Sequence, residues 1–222
     1  LAFLTTLQPI ILFWLIQEGV TSVDPAISKP FHDIGPLSIQ PDSGDYNDLA
    51  AWTGIALDSP PCQKDGHANP RFPLYLQSYN ASAMQDAWTL FSSQVKGDSP
   101  FNGSIFMFEG YPTQAVRAAA ADNSTAFAFR DANLLTAPLI TYEPAGPDLD
   151  QKAKDLGERL RNVLFKASGD AEMRVYVNYA YGDENAKEWY GAEAWRQRRL
   201  AALKHKYDPQ GRFSFFAPVT QG

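Results

Sequence analysis

The sequence holds one cysteine, Cys62, in 222 residues, which excludes an internal disulfide framework and any metal site built on paired thiolates. Positive charge is also scarce, since 19 Lys and Arg stand against 25 Asp and Glu for a formal charge of -6. An acidic surface repels phosphate backbones, and the one basic cluster, Arg196, Arg198, Arg199, Lys204 and Lys206, reads as the solvated face of a helix. Nucleic acid is therefore not an expected partner. No apolar run approaches the roughly 20 residues that a membrane helix needs. Gln8 and Pro9 interrupt the opening stretch, and residues 10–16 run into Gln17, Glu18 and Gly19, so no membrane partner is expected either. The chain lacks a G-x-G-x-x-G turn, a P-loop, H-E-x-x-H and G-x-S-x-G. His32, His67 and His205 are scattered, and no metal is expected.

A hydrophobic fraction of 45% with 20% charged residues is that of an ordinary globular protein, so wholesale disorder is excluded. Residues 10–16, all branched, aromatic or leucine and bounded by Pro and Gly, predict a buried strand. A chain that opens on such a strand is expected to have lost what preceded it. Further strands are predicted over 72–79, 104–109 and 174–179, and an antiparallel pair over 125–129 and 134–142. Helical spacing is present over 46–57, 82–95 and 150–166, the last with Leu156, Leu160, Val163 and Leu164 on one face, and over 185–205 with a break at Gly191. Without a regular βαβ alternation, the fold class is α+β, an antiparallel sheet flanked by helices. Asn80, Asn102 and Asn123 each begin an Asn-x-Ser/Thr sequon, and three sequons near turns point to a secreted glycoprotein. Asp183 and Glu184 form an adjacent acid pair, a pattern more typical of a polar turn than of catalysis.

The last fifty residues carry more. Tyr176, Val177, Asn178 and Tyr179 make a Tyr-x-Asn-Tyr strand, Tyr190-Gly191 follows, and Leu203-Lys-His-Lys-Tyr-Asp-Pro209 precedes a terminal Gly-Arg-Phe. In order and spacing this resembles the C-terminal signature of the berberine-bridge-enzyme-like, FAD-linked oxidoreductases, flavoproteins of the vanillyl-alcohol-oxidase type, in their fungal form. Upstream, Thr125-Ala-Phe-Ala-Phe-Arg130 is similar to a Thr-Ala-Phe-x-His-Arg segment of that family, with Phe129 where many members have His, and Phe108-Glu-Gly-Tyr111 is similar to the aromatic-glycine stretch before it.

The resemblance implies a substrate-binding cap domain over 1–168, truncated at its N-terminus, and a berberine-bridge-type segment over 169–222 that packs on a missing N-terminal FAD-binding domain. It implies FAD as cofactor, held mainly by that absent domain, and a small-molecule substrate: an alcohol, sugar or secondary metabolite oxidised by hydride transfer to flavin N5. By the same resemblance Tyr179 is the base, and Tyr176 and Asn178 line the flavin or the pocket. Tyr181 is a possible hydrogen-bond donor to the Tyr179 phenol. Some members carry a Glu or Gln six residues after the Arg matched by Arg130, and that count lands on Thr136, whose hydroxyl could at most bond substrate. From the residues alone, Tyr176 and Tyr179 are equally ordinary β-formers, and strict alternation puts Asn178 and Tyr179 on opposite faces unless the strand bends. A second reading is a secreted, non-enzymatic α+β module that holds a carbohydrate or other ligand on its aromatic surface.

Overall fold

The computed structural model describes residues 8–63, 65–119 and 125–219. The chain divides into two compact units, one formed by Ile10–Asp65 and the other built on the residues from Gly66 onward.

In the smaller unit, Asp24 caps α1 (Pro25–Asp33) by accepting from the Ala26 amide, with Pro25 at the first helical position where no amide hydrogen is needed. A 3₁₀ turn at Tyr46–Asp48 leads into α2 (Leu49–Trp52), the remnant of the longer helix predicted over 46–57. Gly54, at φ +70, ends it. Cys62 is exposed, and its thiol lies 3.5 Å from the Ile55 carbonyl. The expected opening strand is not found. Residues 1–7 lie outside the described residues, and residues 10–16 have no strand partner and stay open, Ile11 at 76% and Leu12 at 63% exposure. A strand needs an edge to pair with, and this unit offers none among its described residues.

The larger unit is α+β. Its sheet has three antiparallel strands, β1 (Leu74–Leu76), β2 (Ile105–Glu109) and β3 (Leu134–Leu139), in the order β1-β3-β2. The register sets Tyr75 opposite Leu135 opposite Glu109, and in the next row Leu74 opposite Thr136 opposite Phe108. Because successive side chains alternate between faces, these two rows look in opposite directions. The Leu74 row faces α3 (Ala81–Val95) and α5 (Pro147–Ser168), whose Met84, Ala87 and Leu164 pack on Leu74 and Leu76, while Phe91, Leu156 and Leu160 pack on Phe72 and Ile140. Asn80 caps α3 through the Ala83 amide, and Gly169 closes α5 in the left-handed conformation that favours glycine. After a short α4 (Gln114–Ala118), the chain finishes in α6 (Ala186–Tyr190) and α7 (Ala194–Tyr207), separated at Gly191 as its break in the pattern predicts.

Two predicted strands are absent. Residues 125–129 do not pair with β3, because Arg196 already donates to the carbonyls of Thr125 and Phe127 and holds the segment as a loop. Residues 174–179 run extended only to Tyr176 and then enter a 3₁₀ turn, Val177–Tyr179. The segment is pinned from both sides, since Tyr75 donates its amide to the Arg174 carbonyl and Val175 donates to that of Glu188. With its hydrogen bonds split between β1 and α6, it cannot extend a ladder.

Gly157 on α5 is where helix and sheet approach most closely, and a β-carbon there would lie 2.0 Å from the Phe72 ring. Gly157→Ala in an ordinary helix adds about 1 kcal/mol of stability. Here overpacking against fully buried Phe72 reverses the sign, and a loss of about 1–3 kcal/mol is expected as a lower melting temperature by circular dichroism. An unchanged or raised melting temperature would contradict this packing.

Candidate active site

The face of the sheet opposite α3 and α5 carries Tyr75, Leu135 and Glu109 side by side. Onto it fold Phe129 from the loop before β3 and the two tyrosines of the 174–179 segment. Tyr75 lies 5.7 Å from Phe129 and 6.3 Å from Tyr176, ring centre to ring centre. Tyr176 and Tyr179 meet edge to face at 5.1 Å. The 3₁₀ turn explains that meeting, because positions i and i+3 eclipse in such a turn, whereas a regular strand would have set the two rings on opposite faces. Asn178, exposed, turns back and donates from Nδ2 to the Tyr176 hydroxyl at 2.7 Å. Tyr176, Asn178 and Tyr179 are thus gathered at one place, and the bend that allows it comes at Tyr176, before Gly182.

Glu109 ends β2 at the centre of this group. Tyr111 donates its hydroxyl to Glu109 Oε2 at 2.6 Å, and the Glu109 carboxylate lies close enough to the Tyr179 phenol to act on it. The Arg71 guanidinium carbon stands 5.3 Å from the Tyr179 ring centre, a cation–π arrangement. Burial, and then the Glu109 charge and hydrogen bond, push the Tyr179 phenol up to about 12, with Arg71 pulling the other way. Burial raises Tyr75 as well, and burial together with the Glu109 hydrogen bond raises Tyr111. At neutral pH these phenols are therefore proton donors.

Two expected residues lie elsewhere. Thr136 is fully buried in the Leu74 row, and its hydroxyl donates to the Leu74 carbonyl at 3.2 Å. The β3 residue that looks toward the tyrosines is its neighbour Leu135, so a count along the sequence picked the wrong face. Tyr181 does not meet Tyr179 as a donor; it stacks on Phe72 at 4.5 Å, and the carboxylate that acts on Tyr179 is that of Glu109. Asp183 and Glu184 serve the backbone. Both accept from buried Arg161, and Glu184 also takes the amides of Tyr181 and Gly182 and the Trp189 indole N–H. That carboxylate ties the chain just after Tyr179 to α5 and α6. Tyr75 and Arg71 escaped the sequence reading, and Glu109 and Tyr111 entered it only within the Phe108–Tyr111 stretch and without a role, since their convergence depends on strand register. Among the described residues no group of three His, Cys, Asp or Glu side chains is gathered to hold a metal, and no helix is long and apolar enough to cross a membrane.

No family model matches the chain. Relatives do. The FAD-linked oxidoreductase chyH of Penicillium rubens is 53% identical over 212 residues, 96% of this chain, and FAD-linked oxidoreductase chry5 of Gibberella zeae is 49% identical over 211 residues, 95% of this chain. The chain spans 42% of the length of each. Among solved structures, the carbohydrate oxidase of Microdochium nivale matches 89% of this chain and 43% of its own with a TM-score of 0.62 at 20% identity. A variant of berberine bridge enzyme matches 88% of this chain and 43% of its own with a TM-score of 0.64 at 11% identity. The fold is thus that of the berberine-bridge-like oxidases. Over nearly its whole length the chain is similar to part of the FAD-linked oxidoreductases.

The raised phenol has a consequence in alkali. Between the ordinary tyrosine value of about 10 and the value of about 12 in the folded chain, the native state binds more protons than the unfolded state. Stability from this group is complete below the lower limit and is lost as pH rises through the upper one. Chemical denaturation across that window should show stability falling with pH, and Tyr179→Phe should make the fall shallower. An identical slope in the variant would show that Tyr179 titrates like a free tyrosine.

Proposed function

We propose that this chain is the C-terminal, substrate-side part of an FAD-dependent oxidoreductase acting on an alcohol, sugar or secondary metabolite. On this reading residues 1–168 form the cap and residues 169–222 the segment that returns to a preceding FAD-binding domain. The observation that carries it is the Glu109–Tyr179–Arg71 arrangement on the aromatic face of the sheet. FAD supplies, when bound, a hydride acceptor for the carbon being oxidised. What this chain adds is the removal of the hydroxyl proton. The Tyr179 oxygen accepts a hydrogen bond from the substrate hydroxyl while its own proton is directed at Glu109. As the substrate loses its proton to Tyr179, the phenol can pass its own to the carboxylate. A phenol held near 12 is a weak base alone, so the carboxylate behind it is what makes the transfer feasible near neutrality. Arg71, over the ring, stabilises negative charge that builds up there.

The cofactor fits the exposed residues in part. Tyr176 and Tyr179 are half-buried and Asn178 is exposed, a flat aromatic surface with an amide at its rim that suits the edge of a flavin ring. The sequence has no glycine-rich strand-to-helix turn for a pyrophosphate, which fits a cofactor held mainly by another domain. The non-enzymatic module is not favoured, because the relatives that match nearly the whole chain are named oxidoreductases.

Expressed together with its upstream coding sequence, the protein should be yellow, and an oxidisable alcohol should bleach it under anaerobic conditions. Tyr179→Phe should slow that bleaching by about a hundredfold or more, within the range for loss of a general base, and Glu109→Gln should slow it too. A colourless protein, or a Tyr179→Phe variant reduced at the wild-type rate, would overturn the proposal.

We also propose that the protein is secreted and glycosylated. Asn80 and Asn102 are exposed, and Asn80 caps α3 through its side-chain oxygen, leaving the amide nitrogen that would carry a glycan outside that bond. Asn123 lies outside the described residues. Protein recovered from medium should lose mass on endoglycosidase treatment, and the loss should shrink with Asn80→Gln and again with Asn102→Gln. Retention in the cell, or medium material of unmodified mass, would rule this out.

A further inference from the structure

The arginines packed into the larger unit have acceptors, with one exception. Arg161 holds Asp183 and Glu184, Arg174 holds Asp131 and Asp170, and Arg196 holds Glu193 besides two carbonyls. Arg130 donates to the Thr125 hydroxyl and the Val116 carbonyl. The Arg71 guanidinium has no hydrogen bond or ion pair to any described residue, and its Nε is buried without an acceptor. What it has is the face of the Tyr179 ring. A partly buried cation that offers five N–H donors and bonds none of them carries a desolvation cost that an anion would relieve.

Arg71 cannot easily turn away. Pro70 before it accepts from the Ile140 amide, and Phe72 after it donates to the Pro138 carbonyl and is itself fully buried. The guanidinium lies against the Tyr179 ring, and Arg71 pairs opposite Leu139 whereas Glu109 pairs opposite Leu135, further along β3. Tyr176 and Tyr179 cover buried Tyr75 and stay half-exposed themselves, an aromatic surface that suits a flat, unsaturated body. A charged group at one end and a proton acceptor at the other define what fits between them.

Resting on the oxidase reading above, we infer that Arg71 anchors a carboxylate of the substrate while the group to be oxidised lies at Tyr179 and Glu109. The substrate is then a planar, unsaturated hydroxy acid, in place of a neutral sugar. The planar fork of a guanidinium matches a carboxylate with two parallel N–H bonds. A neutral amide of the same shape offers one carbonyl oxygen and no charge.

The test titrates sodium benzoate, and separately benzamide, into the 222-residue chain and follows binding by ligand-observed NMR. Benzoate should bind about tenfold tighter than benzamide, the scale of one charge-assisted hydrogen bond over a neutral one. Arg71→Gln should erase the preference, and Arg71→Lys should keep part of it, since the charge remains and the fork is gone. Retention of benzamide binding by Arg71→Gln shows that the aromatic surface is still folded. Equal binding of the two probes by the wild-type chain, or a preference that survives Arg71→Gln, overturns the inference. The same titration on the protein extended by its flavin-binding part must show the preference again. If it vanishes there, Arg71 pairs with a carboxylate from the rest of the protein, and the substrate role is overturned. Flavin colour in that sample reads the oxidase proposal separately, so failure of one is distinguishable from failure of the other.

Discussion

The pairing of β3 between β1 and β2 is the constraint on which the larger unit depends. Once Leu135 is set between Tyr75 and Glu109, and Thr136 between Leu74 and Phe108, the sheet acquires two unlike faces. One is apolar and covered by α3 and α5, and the other gathers aromatic rings and a carboxylate. A slip of one residue in β3 would carry Thr136 to the tyrosines and bury Leu135 among the helices, inverting both faces at once. The close approach of α5 at Gly157 and the burial of Phe72 help hold the register that produces the site.

On the functional face, a few charges are set among rings in a poorly solvated place. Burial first, and the Glu109 carboxylate after it, raise Tyr111 and Tyr179, and Tyr111 donates directly to that carboxylate. Arg71 and Glu109 act on Tyr179 with opposite charge, the carboxylate raising its phenol and the guanidinium lowering it. Behind this group, Glu184 and Arg161 fix the backbone after Tyr179 through hydrogen bonds and an ion pair, both largely buried. Fixing the neighbouring backbone is what lets one phenol be aimed.

Much of the framework was legible in the sequence, because long periodic segments report themselves. The α5 face, the helix before Gly97, the β2 strand and the break at Gly191 are local patterns, and each lies where its residues place it. The clustering of Tyr176, Asn178 and Tyr179 was legible through motif resemblance, although the turn that joins them was not. Turn geometry depends there on bonds to β1 and α6 that no local pattern encodes. Glu109 and Arg71 were invisible for a related reason, since each is one charged residue on a strand or its edge and gains meaning only from its cross-strand neighbours. The apolar run at residues 10–16 misled because composition reports a wish for burial and not the presence of a partner.

The proposed function turns on one claim, that the Tyr176–Tyr179 turn is the surface this chain presents to a flavin-bearing neighbour. Hydrogen–deuterium exchange of the amides of residues 176–181, compared between this chain and the protein extended by its upstream part with FAD bound, tests it most directly. The account predicts marked slowing at these amides in the extended protein, with the α5 amides slow in both. Exchange at residues 176–181 that is the same in the two samples would contradict it.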